Sequence, residues 1–109
     1  MFDLIVIIDT RTPEDIAPVA DALTRMRPVC LAENGCVSWE AYQSHEAAGR
    51  FVLVERWASR EHWEKHGDES AIRDIYLPEI LPRIEREVHP STPLGHTRTT
   101  TTTTEGATA

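Results

Sequence analysis

Positive charge is scarce in this chain of 109 residues. Lys and Arg number 11 against 18 Asp and Glu, which gives a formal net charge of −7 at pH 7. Nucleic-acid binding needs clustered Lys and Arg to neutralise phosphates, and anionic membrane surfaces attract basic segments for the same reason. We therefore expect neither nucleic acid nor a membrane among the partners of this protein.

Long apolar runs are also missing. No segment reaches the roughly 20 residues that a membrane-spanning helix requires. The first eight residues lack the basic start and the cleavage site of a signal peptide. These two absences predict a soluble, cytoplasmic protein.

Cysteine is limited to Cys30 and Cys36. Cytosolic thiols stay reduced, so we expect no disulfide between them, and neither shows metal-ligand spacing to a second pair. Cys30 is expected to be a small buried residue on a helix, and Cys36 to open a strand. The glycine pattern of a dinucleotide-binding fold is absent as well.

The apolar pattern predicts a single domain over residues 1–92. Residues 3–10 are almost continuously apolar, which is typical of a central strand covered on both faces. A helix follows from a cap at Asp15, and Pro28 should kink or interrupt it. Its expected buried stripe consists of Ile16, Val19, Ala20, Leu23 and Met26.

Three further strands are expected at residues 36–42, 51–57 and 84–89, with the last at a sheet edge. A short helix capped by Ser59 and a second helical segment broken up by Pro78 and Pro82 lie between the last two strands. The order is β-α-β-β-α-β, an α+β, ferredoxin-like arrangement with a four-stranded antiparallel sheet.

Residues 93–109 change character. They include six consecutive threonines and no apolar pattern that could enter a core. We predict a flexible, Thr-rich tail of unknown purpose.

The densest concentration of chemically useful side chains runs from residue 51 to 66. Its strand half alternates, so that Glu55 and Trp57 share one face with Phe51 and Leu53. In its helical half, Trp63 and His66 fall on one face with His62 beside them.

Three motifs in this order resemble the antibiotic biosynthesis monooxygenase family of dimeric α+β barrels. Residues 33–36 (ENGC) followed by Trp39 are similar to the family's E-x-G-C-x-x-Y, with Trp in place of Tyr. Residues 51–57 are similar to its F-x-x-x-E-x-W strand, and His66 stands nine residues after Trp57, where the family usually has a His. The order of elements agrees over roughly the whole chain except the tail.

The resemblance implies a homodimer in which two four-stranded sheets form a barrel, each subunit keeping a pocket between sheet and helices. Quinol monooxygenase-like relatives oxygenate electron-rich aromatics such as anthrones and hydroquinones with O2, without flavin, haem or metal. A deprotonated phenolic substrate supplies the electrons, so the partners implied are a small aromatic substrate and O2, and no cofactor. The strands also carry more apolar surface than two helices on one face can cover, which independently predicts a dimer. The residues concerned are Val37, Trp39, Ala41, Phe51 and Leu53.

Two residues are the catalytic candidates. His66 ends a helix, whose dipole favours the imidazolium, and its pKa lies nearest working pH, so it could be the acid or base; the alternative is a capping or surface His. Tyr76 could hydrogen-bond a substrate oxygen; the alternative is a buried Tyr with a wet hydroxyl.

The candidates for substrate binding are Trp63, His62, Trp57 and Ile72. Trp57 and Trp63 could form an aromatic wall, although core packing or the barrel interface is the stronger interpretation for Trp57. Glu55 is interpreted as a structural ion-pair partner of Arg56 or Arg50.

Three alternatives remain open. His62 and His66 form an H-x-x-x-H pair that could hold a metal, but no third ligand is evident beyond His89 or His96. Haem-degrading relatives carry a first-strand Asn, a Trp at the position of His66 and a His near that of Tyr76, and this chain departs from all three. A non-catalytic dimer that binds a small hydrophobic ligand is the third.

Overall fold

The structure, a computed structural model, describes residues 1–95. Helices and strands follow the predicted order, as β1 (Phe2–Thr10), α1 (Ile16–Leu31), β2 (Cys36–Gln43), β3 (Arg50–Trp57), α2 (Arg60–His66), a π-helix (Ala71–Ile80) and β4 (Ile84–Ser91). Short 3-10 turns precede α1 at Pro13–Asp15 and β4 at Leu81–Arg83. Most of the predicted tail, residues 93–109, lies outside the described part of the chain, so the tail and the domain boundary before it stay predictions.

All strand pairs are antiparallel, and the order across the sheet is β2-β3-β1-β4. The fold is therefore the predicted α+β, ferredoxin-like one, and β4 lies at an edge as expected. No helix within residues 1–95 is long and apolar enough to cross a membrane.

Strand alternation determines which side chains enter the core. Leu4, Val6 and Ile8 of β1 face the helices, and so do Phe51, Leu53, Glu55 and Trp57 of β3. From α1, the predicted stripe supplies Val19, Leu23 and Met26 to this core, while Ile16 and Ala20 pack at its margin. The helices cover one face of the sheet.

The expected interruption of α1 at Pro28 is wrong. The helix continues to Leu31, and Ala32 still donates its N–H to the Pro28 carbonyl at 3.3 Å. Pro28 lies in the last turn, where its missing N–H removes only the bond to the carbonyl of Thr24. The core contacts of Cys30 offset that loss.

The second helical segment is likewise not broken at Pro78. It runs as a π-helix with Pro78 inside it, and Leu81 donates its N–H to Tyr76 five residues earlier. Tyr76 and Ile80, which belong to this segment, are buried. Extended π-helices are rare and often mark functional sites.

Three of the five strand residues on which the dimer prediction rests lie inside the subunit, whereas Val37 is 48% exposed. Trp39, Phe51 and Leu53 lie beneath the helices of their own chain and are 0–3% exposed. Within one chain, β1 is covered on one face only, since Ile5 on its other face is 36% exposed. The uncovered apolar surface is formed by the residues that alternate with the core positions along each strand and face away from the helices.

Candidate active site

A cavity of about 230 Å³ opens between the covered face of the sheet, α2 and the π-helix. Its walls are mostly apolar or aromatic, including Leu4, Val6, Leu53, Trp63, Ile72 and Val88. Four titratable or cationic side chains also reach it, namely Glu55, His66, Tyr76 and Arg86. An apolar cavity with a few convergent polar groups is the usual form of a small-molecule site.

The structure brings together four of the six predicted site residues. His66, Tyr76, Trp63 and Ile72 all line this cavity. Trp57 does not line it but lies fully buried beneath His66, with ring centroids 4.6 Å apart. His62 faces away, with its Nδ1 2.7 Å from the Ser59 hydroxyl, so the H-x-x-x-H pair does not converge on one point.

His66 is positioned by the helix that Ser59 starts. The Ser59 hydroxyl accepts the N–H of His62 at 3.2 Å, which caps α2 as predicted and fixes the turn that ends in His66. The imidazole is 5% exposed, and its Nδ1 lies 2.6 Å from Oε1 of Glu33 in the loop after α1. Nε2 has no hydrogen-bond partner among the described residues.

The protonation of His66 differs from the expectation based on the helix dipole. Burial disfavours the imidazolium and lowers the pKa of His66, although Glu55 and Glu69 oppose that shift. Burial, reinforced by Glu69, also raises the pKa of Glu33 to about 7. Glu33 is therefore partly ionised near neutral pH, and its carboxylate can accept the Nδ1 proton of a neutral His66 across the short Nδ1–Oε1 contact.

Glu55 is a functional candidate that the sequence interpretation missed. Its expected partners are engaged elsewhere, because Arg56 donates to Asp3 at 2.6 Å and Arg50 donates to Asp9 at 2.9 Å. Glu55 is instead 4% exposed and accepts the indole N–H of Trp57 at 3.0 Å. Burial without a cationic partner raises the pKa of Glu55.

Tyr76 and Arg86 meet at the cavity wall. Arg86 Nη1 donates to the Tyr76 hydroxyl at 3.0 Å, and its guanidinium lies 5.4 Å from the ring centroid. No carboxylate lies within salt-bridge distance of Arg86 in the part of the chain that the structure describes. The positive charge of Arg86 can therefore interact with a ligand in the cavity. The sequence interpretation missed this residue, because it treated β4 only as a charged edge strand.

Two indoles complete the site. Trp63 stacks on Phe2 with centroids 5.2 Å apart and forms an aromatic wall. Trp39 lines the cavity from β2, and its buried Nε1 makes no hydrogen bond of normal geometry within residues 1–95. The indole nevertheless lies close enough to Glu55 to oppose the rise in the pKa of that carboxyl, so the Glu55 carboxyl is the acceptor that Trp39 faces.

The fold and the cavity define a ferredoxin-like α+β protein with titratable side chains in the wall of an apolar cavity. The family model described as "Antibiotic biosynthesis monooxygenase" matches residues 5–76. The chain therefore belongs to the antibiotic biosynthesis monooxygenase family, which confirms the resemblance drawn from its three motifs. No curated protein sequence matches the chain.

Solved structures agree on the fold. One of an antibiotic biosynthesis monooxygenase has a TM-score of 0.78 at 19% identity, covering 86% of this chain and 99% of that one. A conserved protein of unknown function from Bacteroides thetaiotaomicron has a TM-score of 0.75 at 18% identity, covering 83% and 94%. A Mycobacterium tuberculosis protein has a TM-score of 0.71 at 21% identity, covering 90% and 100%.

Proposed function

We propose that this protein is a monooxygenase that oxidises a small phenol or hydroquinone with O2, using no organic cofactor. The observation that carries the proposal is the convergence of His66, Tyr76, Arg86 and Glu55 on one apolar cavity. Membership of the monooxygenase family supports the reaction class.

The size of the cavity limits the substrate. Pockets for drug-sized ligands run from about 300 to 1,000 Å³, and this one holds about 230 Å³. A substrate with one or two aromatic rings suits that volume between Trp63 and Ile72. A haem is much larger, and the apolar side chains of Val6 and Leu4 on β1 offer it no ligand.

Tyr76 and Arg86 suit an oxygen that acquires negative charge. The Arg86 guanidinium and the Tyr76 hydroxyl are already joined at 3.0 Å, so a phenolate oxygen beside them would meet both a cation and a hydroxyl donor. Preorganised donors of this kind stabilise developing charge without reorganisation. They would lower the pKa of the bound phenol.

His66 is the proposed base. Its Nδ1 is held by Glu33 at 2.6 Å, which orients the ring and leaves Nε2 as the nitrogen that can accept the phenolic proton. Burial lowers the pKa of His66 and keeps it neutral, as a base must be at the start. Glu55, whose pKa burial raises, serves as a neutral donor to a second substrate oxygen.

The reaction balances without an external reductant. Loss of the phenolic proton to His66 makes the ring carbons ortho and para to the oxygen electron-rich. One that carries hydrogen, the para carbon in a simple phenol or an ortho carbon in a hydroquinone, forms a bond to O2, and the peroxide takes the proton back from His66. The resulting hydroperoxide loses water as the C–H proton leaves and the O–O bond breaks, which gives a quinone carbonyl. The substrate supplies four electrons, one oxygen atom enters the product and the other becomes water.

The test is oxygen uptake by the chelator-treated protein against a panel of small phenols and hydroquinones, with 18O2 to follow the product. One labelled oxygen per quinone is expected. His66→Ala should lower turnover about 100- to 10,000-fold, the usual contribution of positioned acid–base catalysis. His62→Ala, on the same helix but outside the cavity, is the matched control and should retain activity.

Trp63→Ala should mainly weaken substrate binding, since the indole forms a wall and reaches no reacting proton. Undiminished oxygen uptake in His66→Ala would overturn the base assignment. If the wild type binds phenols but consumes no O2, the protein is a small-ligand-binding member of the family and not an enzyme of this kind.

A further inference from the structure

Three side chains of different chemistry, Cys30, Glu33 and His66, converge where the ends of α1 and α2 meet. Cys30 comes from the last turn of α1, Glu33 from the loop that follows, and His66 from the end of α2. Each offers one ligand atom, and these atoms all lie within 4.8 Å of one another. The proposed oxygenase mechanism makes no use of Cys30.

The carboxylate of Glu33 is only half satisfied. Its side chain is 9% exposed, Oε1 contacts His66 Nδ1, and Oε2 is buried without a hydrogen-bond partner in the described residues. Buried carboxylate oxygens without partners are costly and rare. A cation bound between Glu33 and Cys30 would satisfy this oxygen.

The cluster is reachable from the surface. Glu33 and His66 lie in the wall of a second cavity, separate from the substrate cavity and bordered by His62, Lys65 and Glu69. The carboxylate of Glu69 acts electrostatically on both Glu33 and His66, so it favours a cation at this point. Cys30 forms the closed end, with 0% exposure.

We propose that Cys30, Glu33 and His66 form a binding site for a zinc ion, with water from the second cavity as a fourth ligand. Thiolate, imidazole and carboxylate are the ligands that zinc takes in proteins, and three of them with one open position is a recurrent arrangement. Tetrahedral ligands at about 2.0–2.3 Å from zinc lie roughly 3.3–3.7 Å apart. His66 Nδ1 and Glu33 Oε1, both among the shorter ligand bonds, would move apart by about 0.7 Å from 2.6 Å to reach that spacing.

Binding requires the thiolate of Cys30 and an unprotonated Nδ1 on His66. Burial raises the pKa of the Cys30 thiol, but a coordinated metal deprotonates a thiol outright, and the proton passes to water. The other ring nitrogen of His66 stays on the substrate side. With zinc on Nδ1 the ring proton lies on Nε2, so His66 cannot act as the base while the metal is bound. The site would therefore inhibit the proposed function, and metal binding itself does not depend on that function.

Cobalt(II) is the appropriate probe, because it takes zinc sites and its thiolate bond absorbs light. Titration of chelator-treated protein with Co²⁺ should give a thiolate-to-cobalt charge-transfer band and visible bands of four-coordinate cobalt, saturating at one ion per chain. Zinc should then displace the cobalt and abolish both. Cys30→Ala should lose the charge-transfer band, and Glu33→Gln should weaken binding at least about tenfold.

Cys36→Ser is the matched control, because Cys36 is the second thiol and lies outside the cluster. It should keep the full cobalt spectrum, and circular dichroism should match the wild type in all three variants. No charge-transfer band in the wild type, or a band that survives Cys30→Ala, would overturn the proposal. Oxygen uptake is measured in the presence of chelator, and cobalt binding is measured in the absence of substrate. The result of either experiment is therefore independent of the other.

Discussion

On the face of the sheet that the helices cover, two titratable groups, Glu55 and His66, are buried among apolar side chains. On the opposite face, charge lies at the ends of the strands, where Asp3 pairs with Arg56 and Asp9 with Arg50. Both faces come from the same strands, and their side chains simply alternate. The covered face therefore holds buried titratable groups whose pKa values are shifted toward the neutral forms, and the open face holds charges in ion pairs.

The open face has the composition of an interface. Between the two ion pairs, Ile5 lies opposite Val54 and Ile7 opposite Val52, and Ile5 and Val54 are 36% and 41% exposed. An apolar centre with a polar rim is typical of surfaces at which proteins associate. We propose that two copies pack these faces together into the barrel that the family resemblance implies.

The largest expected effect is on stability and contrasts two adjacent residues. Leu53→Ala should cost about 2–5 kcal/mol of unfolding free energy, because Leu53 is 3% exposed in the core. Val52→Ala, one position along β3 on the open face, should cost less than about 1 kcal/mol. Urea unfolding at low protein concentration measures both, and equal costs would mean that the open face is as fully buried as the core.

The next effect concerns pH. Burial places the folded pKa of Glu55 above its ordinary value of 4.5, so its favourable contribution is complete below the unfolded pKa and is lost as pH rises through the folded pKa. Glu55→Gln keeps an acceptor for Trp57 and should remove this loss. In mildly alkaline buffer the variant should gain about 1.4 kcal/mol for each unit by which the pKa is raised.

Glu40 is the control for this prediction and has the opposite sign. Hydrogen bonds from Arg27 lower the pKa of Glu40, so its contribution is present above the unfolded pKa and is lost as pH falls through the folded value. Glu40→Gln should flatten the acid side of the stability profile and leave the alkaline side unchanged. If Glu55→Gln behaved in the same way, Glu55 would be ionised and paired in the folded protein.

Local patterns predicted one part of the site and missed the other for a physical reason. Alternation and helical spacing act over a few residues, so they found the elements that carry His66 and Tyr76. Their partners come from other elements of the chain. Glu33 lies 33 residues before His66, and Arg86 lies ten residues after Tyr76, on β4. Only the tertiary fold decides which charged side chains lose their solvent.

The sequence contains a signal for the burial of Glu55, but the charge of the residue was given more weight than its position in the strand. The alternation placed it on the core face with Leu53 and Trp57, but its charge suggested an ion pair. The strand pairing explains the error, because Arg56 and Arg50 lie on the open face opposite Asp3 and Asp9. An acidic residue in register with core residues is a better indicator of a buried site than of a salt bridge.

A third prediction tests the open face directly. Val54→Asp should weaken self-association at least about tenfold, because a symmetric interface would bury the new charge twice without a partner. Light scattering at micromolar concentration should show a dimer for the wild type and a monomer for the variant. Glu46→Asp, in the exposed β2–β3 connection, is the control. A monomeric wild type would contradict the dimer itself.

The smallest effect is expected from the end of the chain, which lies beyond both faces. A chain cut after Pro93 loses the threonine run, and this run offers neither the alternation nor the helical spacing that burial requires. Its removal should change the unfolding free energy by less than about 0.5 kcal/mol. Matched urea titrations of the full and shortened chains measure the difference, together with light scattering on each. A loss of several degrees in the melting temperature would mean that the segment docks onto the folded domain. If the shortened chain also became monomeric, the docking place would be the open face of the partner, and the ion-paired face would then owe its cover to the tail and not to a second sheet.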